Sequence, residues 1–236
     1  MTRRTLFLIR HGESSANVAA TAAEAAGVET IAVEARDADV PLSPLGERQA
    51  AALGARLGES LPRDALVYSS PYRRALQTAR LALGEDRAPV IDERLRDREL
   101  GILDALTSVG VERRLPEEAA RRRWVGRFYY RPPGGESWTD VALRLRSFLR
   151  DVPVGDQAVA VFAHDAVVSL FLYVLLGFTE DELTKFLLTR PVANTSVTAL
   201  VRDRDGWRVE SFADDSHLAQ VGLPATEHPG AARAGA

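Results

Sequence analysis

The residues of this chain that are equipped for chemistry fall in three short clusters. They are Arg10-His11-Gly12-Glu13-Ser14, Ser69-Ser70-Pro71-Tyr72-Arg73-Arg74 and His164-Asp165. Arginine presents a rigid fork of donors that matches phosphate oxygens. A histidine among arginines is held neutral, because nearby positive charge disfavours its protonated form. Neutral imidazole is a nucleophile. Two unit charges about 4 Å apart interact by about 4 kcal/mol at an effective dielectric near 20. Several such contacts would stabilise a phosphoryl group in transfer. Metal binding by His11 and His164 is the rival chemistry. It is the weaker one, since the flanking arginines repel a cation and no carboxylate cluster follows at ligand spacing. Arg73 and Arg74 lie about 100° apart on a helix, so only one of them faces a shared pocket. His217 and His228 stand outside every cluster and read as surface groups.

Each cluster follows a short apolar run that reads as a buried strand: Thr5 to Ile9, Ala65 to Tyr68 and Ala158 to Ala163. In an open α/β sheet the carboxyl ends of the strands form the ligand crevice. Placement alone therefore brings two histidines and two or three arginines to one edge. Helices fill the intervals. Ser15 to Ala26 is alanine-rich and stops at Gly27; after a loop over Ile31 to Val40, Ser43 caps a helix with Pro44 at its first position, running to about Leu61. Pro71 opens a helix carrying Tyr72 to Leu83, with Ala75, Leu76, Ala79 and Leu83 on one face. Arg87 to Ile91 reads as a short edge strand. From 94 to 135 the pattern weakens into an inserted, lid-like lobe with one helix, Pro116 to Phe128. Ser137 starts a helix ending near Asp151, Ala166 to Leu176 is an apolar helix, and Thr179 caps a shorter one. Val197 to Val201 and Trp207 to Phe212 form a hairpin around Asp205-Gly206. Strands alternating with helices predict an α/β fold, a mainly parallel sheet covered on both faces. A single domain is expected over 1–221, followed by a disordered Ala-, Gly- and Pro-rich tail over 222–236.

Composition narrows the function classes. The chain has 236 residues, 46 % of them hydrophobic and 27 % charged, with a formal net charge of −3. These are ordinary values for a globular protein with a sizeable core, and they leave no electrostatic footprint for nucleic acid. The Arg121-Arg122-Arg123 run reads as a solvated helix face. There is no cysteine, which removes disulfides, thiolate catalysis and cysteine metal sites. No signal-peptide pattern is visible, and the longest apolar stretch, Ala166 to Phe178, is too short to span a bilayer. A cytoplasmic protein is the expectation.

The run Leu8-Ile9-Arg10-His11-Gly12-Glu13-Ser14, with Asn17 after it, resembles the signature of the histidine phosphatase superfamily in its phosphoglycerate-mutase-like branch. Further matching blocks are Pro41-Leu42-Ser43-Pro44-Leu45-Gly46, Ser69-Ser70-Pro71 with Arg74-Ala75-Leu76-Gln77-Thr78-Ala79, Gly135-Glu136-Ser137, Phe162-Ala163-His164 and Asn194-Thr195-Ser196-Val197. They occur in the family's order over roughly residues 5 to 201. The resemblance implies a three-layer α/β/α sandwich and a phosphatase that works through a phosphohistidine, with no cofactor and no metal. By position it implies His11 as nucleophile, with Arg10, Arg74 and His164 holding the phosphoryl oxygens. Ser14 and Asn17 line the same pocket, and Gly12 lets the backbone turn beside the ligand.

Two positions depart from the family pattern. Relatives carry a glutamate after a Leu-x pair, where Leu95-Arg96-Asp97-Arg98-Glu99-Leu100-Gly101 places Asp97. Asp97 is therefore the expected proton donor, with Glu99 as its substitute or as a pocket residue. Asp165 stands where many relatives have glycine and reads as the cap of the following helix. The expected substrate is a phosphorylated small molecule, with neither nucleic acid nor membrane as partner and room for a homo-oligomer. The alternatives are a phosphoglycerate-type mutase using the same pocket and a non-catalytic phosphate-recognition module. A mutase needs extra basic groups and a closing tail, whereas the stretch from Gly222 to Ala236 holds one arginine and no lysine.

Overall fold

The computed structural model describes residues 4–152, 157–189 and 191–228. Strand β1 (Arg4–Arg10) leads into α1 (Ser15–Ala26), and a long loop connects to α2 (Pro44–Ser60). Then come β2 (Leu66–Ser69), α3 (Arg73–Leu83) and the two-residue β3 (Val90–Ile91). The lobe carries α4 (Ser108–Arg114) and α5 (Pro116–Val125). After it follow α6 (Trp138–Asp151), β4 (Val159–Ala163), α7 (Asp165–Leu176) and α8 (Glu180–Thr189). The hairpin β5 (Val197–Arg202) and β6 (Trp207–Asp214) precedes the short α9 (Ser216–Gln220).

The six strands form one mixed sheet in the order β3-β2-β4-β1-β5-β6. The first four run parallel, and β5 and β6 are antiparallel to their neighbours. The order puts β4 and β1 side by side at the centre. Their register pairs Arg10 with Ala163, and β4 in turn pairs Phe162 with Ser69 of β2. The residues that follow these three strands thus leave the sheet at the same level.

Side chains alternate between the faces of a strand, and this alternation divides the core. Leu6, Leu8, Val159, Val161 and Ala163 pack under α6 and α7 against Val141, Leu145, Phe148, Val167 and Phe171. Phe7, Ile9, Ala160 and Phe162 pack on the other face against Leu53 and Leu57 of α2 and Ala79 of α3. The result is the expected three-layer α/β/α sandwich. Fully burying one such side chain contributes roughly 1.5–3 kcal/mol.

Local signals set the helix starts. Ser14 and Asn17 form a reciprocal capping box on α1, and the helix ends at Gly27 in the left-handed region (φ 63°). Ser43 accepts from Gly46 N at 3.0 Å, with Pro44 in the first position of α2. α3 begins two residues later than expected, because Ser70 Oγ accepts the Tyr72 N–H at 3.2 Å and holds Pro71 and Tyr72 in a turn.

The lobe has two helices where the sequence predicts one. Thr107 caps α4 through Gly110 N at 3.0 Å, and Leu115, which links the two, leaves helical geometry at ψ 56°. α5 then ends at Gly126, short of Phe128. Leu103, Val111, Ala119 and Tyr130 give the lobe a small core of its own.

The tail also differs from the expectation. Residues 222–228 lie against the domain: Gln49 Nε2 donates to Pro224 O and Thr226 Oγ1, both at 3.0 Å, and Asn194 N donates to Thr226 O at 2.9 Å. Residues 229–236 lie outside the described residues. Among the described residues no helix is long and apolar enough to cross a membrane.

Candidate active site

His11 leaves the end of β1 by extending the ladder to β4, its N–H donating to Ala163 O at 3.0 Å. Its neighbour across the ladder is followed by His164, and the two imidazoles meet edge to face with centroids 5.1 Å apart. Both histidines are buried. His11 Nδ1 donates to Gly12 O at 2.7 Å, which leaves Nε2 as the lone-pair nitrogen. That nitrogen accepts from Arg74 Nε at 3.2 Å. Burial, followed by the charges of Arg74, His164 and Arg10, holds the His11 imidazolium well below the ordinary range. The ring is therefore neutral at pH 7.

The backbone beneath His11 is braced from three sides. Asn194 Nδ2 donates to His11 O at 2.9 Å, and Thr195 N donates to Arg10 O at 3.1 Å. Thr195 makes this contact from φ 58°, a strained conformation for a β-branched residue. Gly12 N donates to Thr78 Oγ1 of α3 at 3.0 Å. Gly12 itself is not among the residues with positive φ. It is required by crowding, since a Cβ there would stand 2.6 Å from Gly46 O, and one on Gly46 would stand 1.9 Å from Glu13 O. The glycines of two separate sequence blocks thus let the loop after His11 and α2 touch backbone to backbone.

A cavity of about 300 Å³ opens beside His11. Arg10, Arg74, Asp97, Ser14 and Asn17 line it, together with Arg98, Asp165 and Trp138. Its outer wall is apolar through Ile31, Val33, Val40, Leu100 and Leu106, with Glu24, Asp37 and Asp104 among them. The expected pair of pocket residues Ser14 and Asn17 is therefore present at the wall while also capping α1. Arg73 is exposed, and Arg74 takes the inward position on α3.

Asp97 enters from the irregular segment that opens the lobe. Its Oδ2 lies 3.0 Å from Arg74 Nη2 and 3.2 Å from His164 Nδ1, the latter off the line of a hydrogen bond. Burial pushes its carboxyl up, but His164, Arg74 and the Arg98 N–H outweigh burial and hold it well below the usual carboxylate range. His164 shares a hydrogen bond of 2.8 Å between Nε2 and Ser70 Oγ. Its imidazolium is lowered, by burial first, with Asp97 opposing.

Glu99 is not brought to this cluster. It is exposed, does not line the cavity, and its carboxylate accepts from the Tyr72 hydroxyl at 2.8 Å. Asp165 is not a helix cap either. It is the first residue of α7, behind His164 at the cap position, and its Oδ1 accepts from Ser169 Oγ at 3.3 Å. It lines the cavity, where burial pushes its carboxyl up and Arg10 opposes the shift. The two histidines read as surface groups are also placed differently. His217 is buried with Nε2 3.3 Å from Thr195 Oγ1, and His228 lines the cavity with Nδ1 3.1 Å from Thr21 Oγ1.

Several contributors carried no role in the sequence reading. Tyr72 packs edge to face on His164 at 5.2 Å and under the Arg74 guanidinium at 4.9 Å. Glu136, from the Gly-Glu-Ser block, accepts from Arg96 Nη2 at 2.6 Å, from Arg144 Nε at 3.0 Å and from Glu99 N at 3.2 Å. Arg144 in turn donates to the Asp97 carbonyl at 3.1 Å. Arg98 is pushed down to about 10 by burial and by the nearby Arg122 and Arg127. Among the described residues, no group of three or more His, Cys, Asp or Glu is arranged to hold a metal ion.

A family model of the histidine phosphatase superfamily (branch 1) matches residues 6–215. A glucosyl-3-phosphoglycerate phosphatase of Mycolicibacterium vanbaalenii is 32 % identical over 192 residues, covering 77 % of this chain and 78 % of the relative. The solved structure of a mycobacterial glucosyl-3-phosphoglycerate phosphatase complexed with VO3 is similar with a TM-score of 0.68 and 28 % identity, covering 89 % of this chain and 98 % of that one. The alpha-ribazole phosphatase of Shigella flexneri shares the fold, with a TM-score of 0.70, 22 % identity, and coverage of 89 % and 96 %.

Proposed function

Because this chain belongs to the histidine phosphatase superfamily, branch 1, and is a phosphatase, we propose that it hydrolyses phosphomonoesters through a phosphohistidine on His11, without a metal. The single observation that carries this reading is His11 itself. It is buried and neutral, with Nδ1–H fixed on Gly12 O and the Nε2 lone pair turned to Arg74.

The steps follow from that geometry. The Nε2 lone pair attacks phosphorus as the bond to the ester oxygen breaks. The leaving oxygen takes its proton from Asp97. Gly12 O steadies the Nδ1–H as the ring becomes cationic. Arg10 and Arg74 hold the equatorial oxygens, where charge-assisted bonds are strongest. Water then attacks the phosphoryl group, gives a proton to Asp97, and the N–P bond breaks to release phosphate and neutral His11. Asp97 rests ionised, so it must gain its proton with the substrate. A phosphomonoester carries about −1.5 to −2 charge near neutral pH. That charge beside Asp97 opposes the lowering by His164 and Arg74.

The substrate is read as a small phosphomonoester whose leaving group sits against the apolar outer wall. Glucosyl-3-phosphoglycerate, the substrate in the name of the mycobacterial relative, is a candidate to assay first. The test of the mechanism is a brief reaction with a labelled phosphomonoester in the presence of chelator. The expected result is acid-labile, base-stable label on the protein, absent from His11→Ala. Label that persists in His11→Ala, or that forms only when a divalent ion is restored, refutes the proposal.

A further inference from the structure

Arg74 is the phosphate-binding residue least able to bind phosphate as it stands. A guanidinium has five N–H donors, and here all five are engaged. Nε donates to His11 Nε2 at 3.2 Å. Nη1 donates to Asp37 O at 2.6 Å and to Asp37 Oδ1 at 2.8 Å. Nη2 donates to Asp37 Oδ2 at 3.3 Å and to Asp97 Oδ2 at 3.0 Å. Arg10 differs: its buried Nε has no hydrogen-bond partner. One phosphate ligand therefore has a donor in reserve, and the other is saturated by two carboxylates.

Asp37 does not come from any of the strand-end clusters. It opens a single turn of 3-10 helix, Asp37–Asp39, in the loop between α1 and α2. Its side chain is 38 % exposed, while that of Arg74 is 5 % exposed. The carboxylate thus reaches from the pocket mouth onto a buried guanidinium. Its two oxygens sit on both Nη atoms, the bidentate arrangement in which arginine also takes a phosphate.

We infer that Asp37 is a substrate-displaced latch: in the empty enzyme its carboxylate stands in for a phosphoryl group on Arg74, and binding exchanges one anion for the other. This rests on the proposed phosphate pocket and extends it to a positioning residue in the 27–43 loop. The latch keeps Arg74 aligned beside His11 and neutralises it when no substrate is present. The phosphoryl group first meets Arg10, then takes the Arg74 donors as Asp37 leaves. The backbone carbonyl of Asp37 is also on Nη1, so release moves the turn and not the side chain alone. Affinity for phosphate is accordingly lower than the bare arginine pair would give, by the strength of a partly exposed ion pair.

The test is calorimetric titration with inorganic phosphate, which needs no turnover, on wild type, Asp37→Asn, Asp37→Glu and Asp39→Asn. Asp37→Asn keeps the shape and removes the competing charge. It is expected to tighten phosphate binding by about three- to fivefold, the upper part of the range for a partly exposed ion pair. Asp37→Glu restores the charge and should return affinity to near the wild-type value. Asp39 pairs instead with Arg36, so Asp39→Asn controls for loss of a negative charge in the same turn and should leave affinity within a factor of two of wild type, by about the size of a surface-charge effect. In steady state Asp37→Asn should lower KM by more than it changes kcat. Unchanged or weaker phosphate binding in Asp37→Asn overturns the latch and makes Asp37 a simple support for Arg74. Equal tightening in Asp39→Asn overturns it in favour of a general charge effect. If neither wild type nor variant binds phosphate, the latch falls together with the phosphate pocket. Failure of the hydrolytic reading is seen separately, as absence of label on His11.

Discussion

In the proposed reaction Asp97 acts as an acid, in a place that favours its ionised form. Arg74 at 3.0 Å and His164 at 3.2 Å both favour its ionised form. The conflict resolves only if the incoming phosphoryl group takes over those two cations and brings negative charge to the carboxylate. That account predicts a leaving-group effect. A nitrophenolate departs with little protonation, whereas an alkyl alkoxide needs a full proton. Asp97→Asn should slow an alkyl phosphate far more than an aryl one, by up to about 10²–10⁴ for the alkyl ester. Glu99→Gln, which loses only a contact to Tyr72, should slow both mildly and equally. Steady-state rates on the two ester types separate chemistry from a folding defect, which would lower both together. A leaving-group-dependent loss in Glu99→Gln, and none in Asp97→Asn, would reverse the assignment.

Asp97 has no secondary structure to hold it, so the loop it sits on is held from outside. Arg144 of α6 donates to Arg94 O at 2.5 Å and to Asp97 O at 3.1 Å, and is itself clamped by Glu136 at 3.0 Å. The pair is nearly out of water, with side chains 9 % and 13 % exposed. Breaking a buried pair by removing one partner costs about 3–5 kcal/mol, whereas replacing both by apolar groups is often near neutral. Arg144→Met is therefore expected to lower stability by an amount at or below the lower end of that range, because Arg96 still pairs with Glu136, and the loss is read as the urea midpoint. The double variant Arg144→Met with Glu136→Met should recover much of the stability. It should not recover alkyl phosphate turnover, because the Asp97 carbonyl still lacks its donor. Recovery of turnover together with stability would show that the pair serves the fold alone.

Across the whole molecule, His11, His164 and His217 are buried and all three imidazoliums are lowered, in each case by burial first. Each remains neutral in the folded protein below the pH at which the unfolded chain protonates, near 6.5. The unfolded state then binds more protons than the folded one, so stability falls as pH drops from about 6.5 toward the depressed folded values. Each such group contributes a slope of at most about 1.4 kcal/mol per pH unit. Asp97, also lowered, contributes stability that is intact above about 4 and is lost only below that pH. The melting temperature is thus expected to fall between pH 7 and pH 5, with the raised carboxyl of Asp165 opposing part of that fall. His217→Gln, outside the pocket, should flatten that fall. A melting temperature constant from pH 7 to pH 5 would contradict the buried neutral histidines.

The sequence by itself determined what is local or set by strand order. The three strand-end clusters, the cap Ser43, the helix start at Ser137, the stop at Gly27 and the apolar run of β1 all depend on neighbours a few residues away. The rule that ligands collect at parallel strand ends then carried His11, His164, Arg10 and Arg74 to one edge, and the order β2-β4-β1 sets the three strand ends side by side. Contacts between segments far apart in the chain had no such signal. Only the tertiary structure decided that Glu99 turns out to Tyr72 while Asp97 turns in, because two residues apart on an irregular loop carry no periodicity. The same holds for Asp37 on Arg74, for the Glu136 and Arg144 clamp, and for the 222–228 segment against Gln49 and Asn194. Composition marked that tail as unstructured, yet its backbone finds donors on the folded domain that a local reading cannot supply. His217 is the plainest instance. Its type and its neighbours say surface, and the packing of α9 against α2 buries it.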